Sequence, residues 1–172
     1  ESNPLTADKS FKDVTTSLAV EDSIDLASDW RLRLGLSHDN RDARHADAYA
    51  TGRTSANNWL AELSHTVAPG SQVYASLARK SRFPTIKDRY SFRLGTAIPN
   101  PDLRPETSLN VELGLRGAPW TGANGHAALF YARIRDLMQN QVVPSTLCGT
   151  TVCNQLQNIG DARHAGLELS LD

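Results

Sequence analysis

Trp30-Arg31-Leu32-Arg33-Leu34-Gly35-Leu36-Ser37 alternates without a break, with Trp, Leu, Leu and Leu at the even positions and Arg, Arg, Gly and Ser at the odd ones. An extended chain sends successive side chains to opposite faces, so this stretch makes a strand with one apolar and one polar face. A helix would scatter the same four apolar residues around its axis. The pattern returns at Leu109, Val111, Leu113 and Leu115, opposite Asn110, Glu112, Gly114 and Arg116. It returns again at Ala165, Leu167, Leu169 and Leu171, opposite Gly166, Glu168, Ser170 and Asp172. Weaker versions occupy 14–21, 59–67, 73–80 and 127–137. The reading is an all-β chain of seven strands with no helix.

The links between these strands alternate in length. Short ones fall at 22–29, 68–71 and 119–125, where Gly, Pro, Asn and Ser supply turn chemistry. Long polar ones fall at 39–57, 81–106 and 143–155. Short turns at one end and long loops at the other distinguish an antiparallel up-and-down meander in a membrane barrel from an ordinary sandwich. In that frame Trp30 begins an upward strand and Trp59 a downward one. Trp30 and Trp120 adjoin short turns and Trp59 follows a long link, which suits aromatic belts at two bilayer interfaces, although Trp packs in any β core.

Bulk composition neither supports nor opposes this. Of 172 residues, 40% are hydrophobic and 22% charged, and the mean hydropathy is negative. A barrel strand meets lipid only at every second residue, so barrels escape hydropathy windows. The formal net charge of -1 provides no field to attract nucleic acid. No apolar run approaches the roughly 20 residues of a membrane-spanning helix. The first residues, Glu1-Ser2-Asn3-Pro4, lack the basic and apolar regions of a signal peptide, which is expected to lie outside this segment.

The two cysteines, Cys148 and Cys153, enclose Gly149-Thr150-Thr151-Val152 in a polar stretch. A small disulfide-closed loop is the preferred reading and implies an oxidising compartment. Half of a zinc site and a pair of free thiols are the rivals, and no second Cys/His pair follows to complete a zinc tetrad.

From Ser81 the chain reads Ser-Arg-Phe-Pro-Thr-Ile-Lys-Asp-Arg-Tyr, and it continues to Asn100-Pro101-Asp102-Leu103-Arg104-Pro105-Glu106. Phe83-Pro84-Thr85 with Tyr90, followed by that Asn-Pro-Asp-Leu-Arg-Pro-Glu segment, resembles the barrel of TonB-dependent receptors. In that family the first motif ends an upward strand and the second leads into a downward one. Residues 108–116 resemble the paired strand. Phe130-Tyr131, with Ile134-Arg135-Asp136-Leu137, resembles the next upward strand. Asn158-Ile159-Gly160, Ala162 and Gly166-Leu167-Glu168-Leu169 resemble the returning one.

The resemblance implies that residues 1–172 form part of a transmembrane barrel of about 22 strands, with the plug domain and the terminal strands absent. Two unpaired edges and a tendency to associate follow for the isolated piece. It further implies an outer-membrane location, contact with outer-membrane lipid, TonB as partner through a missing N-terminal region, and TonB-dependent import of a scarce nutrient, a ferric siderophore first. No bond is made or broken in such a role, and neither a cofactor nor a resident metal is expected.

Candidate ligand contacts lie in the long links. Arg79, Lys80, Arg82, Lys87, Arg89 and Arg93 make the region around residue 85 basic. Arg82, Lys87, Arg89, Tyr90 and Arg93 are the candidates to receive an anionic iron chelate, against the alternative of a merely solvated face. His38, Asp39, Asp42, His45 and Asp47 have metal-binding donor types, but nothing fixes their geometry and a hydrophilic loop is preferred. Asp102 and Glu106 on an extended, Pro-rich segment do not make a tuned acid/base pair, so that segment is read as architectural. The chain contains no Gly-x-Ser-x-Gly, no His-Glu-x-x-His and no phosphate-binding glycine loop. A passive porin or adhesin-type barrel, and less favourably a soluble β-sandwich binding module, also accommodate the alternation.

Overall fold

The computed structural model describes residues 9–118, 120, 122–149 and 151–172. Pro119 and Thr121 of the third short link, Thr150 of the cysteine loop and the Glu1-Ser2-Asn3-Pro4 start lie outside the described residues. Among the described residues nine strands form: β1 (Phe11–Asp25), β2 (Trp30–Ala46), β3 (Gly52–Ala68), β4 (Ser71–Arg82), β5 (Glu106–Gly117), β6 (Gly125–Arg135), β7 (Met138–Pro144), β8 (Val152–Asn158) and β9 (Ala162–Leu171). Seven make one antiparallel sheet in the order β1-β2-β3-β4-β5-β6-β9, and β7 and β8 pair separately as a hairpin.

The cross-strand register assembles the alternation into continuous rows. One row reads Ile24, Leu32, Leu63, Ala75, Leu113, Leu129 and Leu167 from β1 to β9. The next row towards the long-loop end reads Asp22, Leu34, Ala61, Leu77, Val111, Tyr131 and Ala165. Among the described residues nothing covers this apolar face. Leu36, Leu113, Leu129, Leu167 and Leu169 are each more than half exposed. In water such a continuous patch would oppose solubility, whereas in a bilayer it is the surface that belongs there. From Leu171 to Arg163, β9 covers about 27 Å along its axis, enough for an apolar band about 25 Å tall once strand tilt is allowed for.

Trp30 stacks on His65 at the short-turn end, with ring centroids 4.4 Å apart. Trp59 does not begin its strand. It lies within β3, opposite Leu36 and Arg79, at the other margin of the apolar band.

Several sequence expectations fail, each for a physical reason. The predicted loop 39–57 is instead the continuation of β2 and β3, paired from Asp39↔Ala56 to Ala43↔Gly52. Both faces of that extension are polar, so it has no alternation to read, while ladder hydrogen bonding is indifferent to side-chain polarity. The predicted loop 143–155 is mostly hairpin for the same reason: Val143 pairs with Cys153 and Gln141 with Gln155. The predicted strand 127–137 stops at Arg135, and Asp136 turns the chain with φ 55°. A short helix also exists, α1 (Ile86–Tyr90). The Phe83-Pro84-Thr85 motif does follow the end of β4 at Arg82, and its Thr85 is in addition the N-terminal cap of α1.

Candidate functional site

The long-loop end is a folded cap. After β4, Pro84 is fully buried, and Thr85 caps α1: its hydroxyl accepts from the Asp88 backbone N–H at 3.1 Å, while the Asp88 carboxylate accepts from the Thr85 N–H at 2.9 Å. This reciprocal capping box makes five helical residues sufficient for an ordered turn. It also turns Arg89 and Tyr90 inward. Tyr90 lies between Phe11 and Tyr49, at centroid distances of 5.2 and 5.6 Å, and its hydroxyl donates to the Ala50 carbonyl at 3.2 Å. Arg89 is 2% exposed and donates to the Thr54 hydroxyl at 3.3 Å. The loop is thereby fixed to the tips of β1, β2 and β3.

The return segment is fixed to the opposite side. Asn100 donates to the Leu156 carbonyl at 2.9 Å. Asn158 exchanges hydrogen bonds with the Arg104 backbone, at 2.8 and 3.0 Å, and donates to the Asp136 carbonyl at 2.6 Å. Leu103 is 2% exposed between them. Glu106 then ties three elements together: one carboxylate oxygen accepts from Arg82 Nε at 2.7 Å and the other from the Met138 backbone N–H at 2.7 Å. Burial alone would raise the Glu106 pKa, but these two donors outweigh it and hold the carboxyl below its usual value. The Asn100–Glu106 stretch is therefore a scaffold that joins β4, β5 and the β7–β8 hairpin.

The candidate ligand residues divide accordingly. Arg89 and Tyr90 are buried as anchors, and Arg82 is engaged by Glu106 and, at 3.5 Å, by Asp88. Lys87 and Arg93 are exposed on the cap's surface and border one small recess of about 70 Å³. That volume suits a water or a small anion and is far below what an iron chelate requires. Any such ligand would have to rest across the cap and its neighbours. Cys148 and Cys153 are joined by a disulfide, Cα to Cα 5.7 Å, which closes the tip of the β7–β8 hairpin.

The metal-donor types in β2 do not converge. His38 and Asp39 point to opposite faces. His38 Nδ1 lies 2.7 Å from Asn57 Oδ1, Asp39 accepts from Asn58 at 2.6 Å, and Asp42 pairs with Arg44 and Arg53. Sequence reading takes the Asn100–Glu106 segment as architectural but does not foresee the particular contacts of Asn100, Glu106 and Asn158. The Thr85-x-x-Asp88 spacing was a readable signal for the cap, whereas nothing local to Asn158 announces partners more than 50 residues away.

The polar face of the sheet has its own network. The Glu62 carboxylate bridges Arg33 at 3.0 Å and Arg116 at 2.8 Å, and Arg116 lies 4.6 Å from the Tyr74 ring centroid. The Tyr74 hydroxyl bonds Glu112 and lies 2.7 Å from His126 Nε2. Charges paired this densely on one face, opposite rows that are apolar from β2 to β9, suit a strand whose two sides meet water and hydrocarbon.

Comparison with known proteins is consistent with this geometry. A search of curated proteins finds no match. Among solved structures, the chain resembles the FrpB iron transporter from Neisseria meningitidis (F3-3 variant), with a TM-score of 0.73, 20% identity, and coverage of 96% of this chain and 24% of that one. It also resembles the copper transporter OprC (TM-score 0.72, 18% identity, 92% of this chain and 26% of that one). A third relative is the alcaligin outer-membrane receptor FauA from Bordetella pertussis (TM-score 0.64, 21% identity, 94% and 27%). The chain thus spans about a quarter of the length of these proteins. The family model for the TonB dependent receptor-like β-barrel matches residues 1–172. With its seven-stranded meander, outward apolar rows and capped long-loop end, the chain belongs to the TonB-dependent receptor β-barrel family, as a section of the barrel wall.

Proposed function

We propose that this chain forms part of the wall of an outer-membrane receptor that imports a scarce nutrient by TonB-dependent active transport, with a ferric siderophore as the first candidate. The family match over residues 1–172 is the observation that carries the reading. The division of the sheet into an apolar face and a charged, hydrogen-bonded face supports it. In this reading the apolar rows meet outer-membrane lipid and the Glu62 network lines the lumen. The folded cap is the outer surface on which ligand first rests, with Lys87 and Arg93 the exposed cations available to an anionic chelate. TonB would act through a region N-terminal to the barrel. The chain's part in the process is to hold a path and a docking surface, with no chemistry performed on the cargo.

Copper is the second candidate, because a copper transporter is among the similar structures. The reading is tested by energised uptake in whole cells expressing the full-length protein, with labelled ferric siderophores and copper, with and without functional TonB. Saturable accumulation of one chelate that disappears without TonB is expected. Accumulation indifferent to TonB would point to a passive barrel and overturn the proposal.

A further inference from the structure

The β7–β8 hairpin is paired along one outer edge and open along the other. The Ile159 N–H donates to the Leu137 carbonyl and the Ser145 N–H to the Thr151 carbonyl, both at 3.1 Å. The two-residue alternation of an antiparallel ladder then makes Gln139, Gln141 and Val143 the residues bonded across to β8. On β8, Asn154 turns its backbone outward and meets the cap there: it donates to the Thr96 carbonyl at 3.2 Å and accepts from the Ile98 N–H at 2.9 Å. On β7 the outward residues are Met138, Asn140 and Val142. Glu106 takes the Met138 N–H. The backbone N–H and C=O groups of Asn140 and Val142 have no partner among the described residues, and both residues are exposed. Edge strands are ordinarily blunted by charge. Here no residue from Leu137 to Gly160 is charged, and Pro144 stands only at the end of the strand.

A cationic recess lies beside this edge. The recess of about 70 Å³ that Lys87 and Arg93 border has Asn140 in its wall. The Asn140 side-chain oxygen, oriented by its neighbours, accepts from two Arg93 nitrogens at 3.1 and 3.3 Å. Arg93 keeps this place with φ at 44°, a left-handed conformation unfavourable for a residue with a Cβ. Lys87 and Arg93 form no ion pair among the described residues, while the carboxylate in the wall, Asp88, is engaged by the Thr85 N–H and Arg82. We infer that the β7 edge binds an extended peptide strand of a partner protein, with an acidic side chain of that strand seated in the recess. Two independent features meet at Asn140 and define the partner. Unpaired N–H and C=O groups alternating along a strand are the complement of another main chain, at up to about four hydrogen bonds. A recess of this size with two free cations fits one carboxylate and excludes a chelate. In the orientation proposed above the partner arrives from outside the cell. That location rests on the import reading, and the pairing itself does not.

The test uses the full-length protein containing this segment, in neutral detergent, with the end-blocked heptapeptide Thr-Val-Thr-Glu-Thr-Val-Thr as probe. With saturating peptide, amide hydrogen exchange is expected to slow about tenfold or more at Asn140 and Val142. Exchange at Gln139 and Gln141, whose N–H groups already bond β8, is expected to stay as it was. Fluorescence anisotropy of the labelled peptide is expected to show about tenfold weaker binding when its Glu is replaced by Gln. The variant K87Q/R93Q is expected to abolish that difference, and unchanged protection of its Met138 amide shows that the cap is still folded. Methylating alternate peptide nitrogens should remove binding in one frame and leave it in the other. Asn140 and Val142 amides already protected in the protein alone would mean that another part of the same protein covers the edge, which overturns the proposal. Absence of binding at millimolar peptide, equal affinity of wild type for the Glu and Gln peptides, or binding that leaves both amides exchanging freely overturns it as well. None of these outcomes bears on energised uptake, so this proposal and the import reading fail separately.

Discussion

Replacing Glu106 with Ala is expected to raise hydrogen exchange at the Met138 amide roughly thirtyfold, corresponding to about 2 kcal/mol of lost local stability. The Met138 N–H is buried, and the Glu106 carboxylate is its acceptor, so truncation leaves a desolvated donor without a partner. The Arg82 side of the same carboxylate adds less, because that guanidinium is 54% exposed and water replaces the lost partner. Glu106→Gln should therefore fall between wild type and Ala, since an amide oxygen still accepts from Met138 but the charge is gone. Acidification should imitate the loss in wild type alone. The folded carboxyl has its pKa below the ordinary glutamate value, so the contribution is complete above the unfolded value of about 4.3 and disappears as pH falls through the lower folded value. Protection of Met138, corrected for intrinsic exchange, should be level from neutral pH down to about 5, decline below that, and stay flat in the Gln variant. Equal protection in wild type and Glu106→Ala would mean that the cap does not depend on this carboxylate.

Gly114→Ala is expected to destabilise the sheet strongly. A Cβ at that position would lie 2.5 Å from the Tyr74 ring, which covers the glycine on the polar face. Tyr74 has no free space to retreat into, being 4% exposed, bonded to Glu112 and His126 and overlain by Arg116. Overpacking of this kind costs about 3 kcal/mol at its upper end, read as a lowered midpoint of guanidinium unfolding for the full-length protein in bilayers. Gly166 stands in the same relation to Phe130, where a Cβ would meet the ring at 2.7 Å, so an aromatic lying over a glycine is used twice on this face. The cause is separable by a double-mutant cycle. In a Tyr74→Ala background the same Gly114→Ala change should cost nothing, or even stabilise by up to about 1 kcal/mol through the stiffer unfolded chain. An unchanged penalty in that background would place the strain elsewhere.

How far the sequence could be read depended on whether one face of a strand is apolar. Leu109 to Leu115, Trp30 to Leu36 and Ala165 to Leu171 were legible because hydrocarbon on one side and water on the other impose a two-residue period. The same sequence was mute at Asn40 and Ser55, or at Gln141 and Gln155, where polar residues stand on both faces and the folded cap rather than hydrocarbon covers one of them, so no two-residue period is imposed. Those stretches read as loops for want of a pattern. The cap was half legible. Thr85 and Asp88 have the spacing of a capping box, and the Asn100–Glu106 segment has the prolines of a fixed connection. The partners of Arg89, Tyr90 and Asn158 lie on strands distant in sequence, so their role as anchors depends on the fold rather than on local residues. Basic loop residues were attractive as ligand contacts because charge is visible in sequence and burial is not. Arg89 carries the same charge as Lys87, but only Lys87 is on the surface.

The central claim is that alternate residues of these strands face lipid and an aqueous interior. It is tested most directly by placing single cysteines at each position from Leu109 to Arg116 in the full-length protein, labelling them with an environment-sensitive fluorophore, and reconstituting the protein into bilayers containing brominated lipid. Strong quenching at 109, 111, 113 and 115 with little at 110, 112, 114 and 116 is the expected result. Quenching without that two-residue period, or strongest at the polar positions, would contradict it.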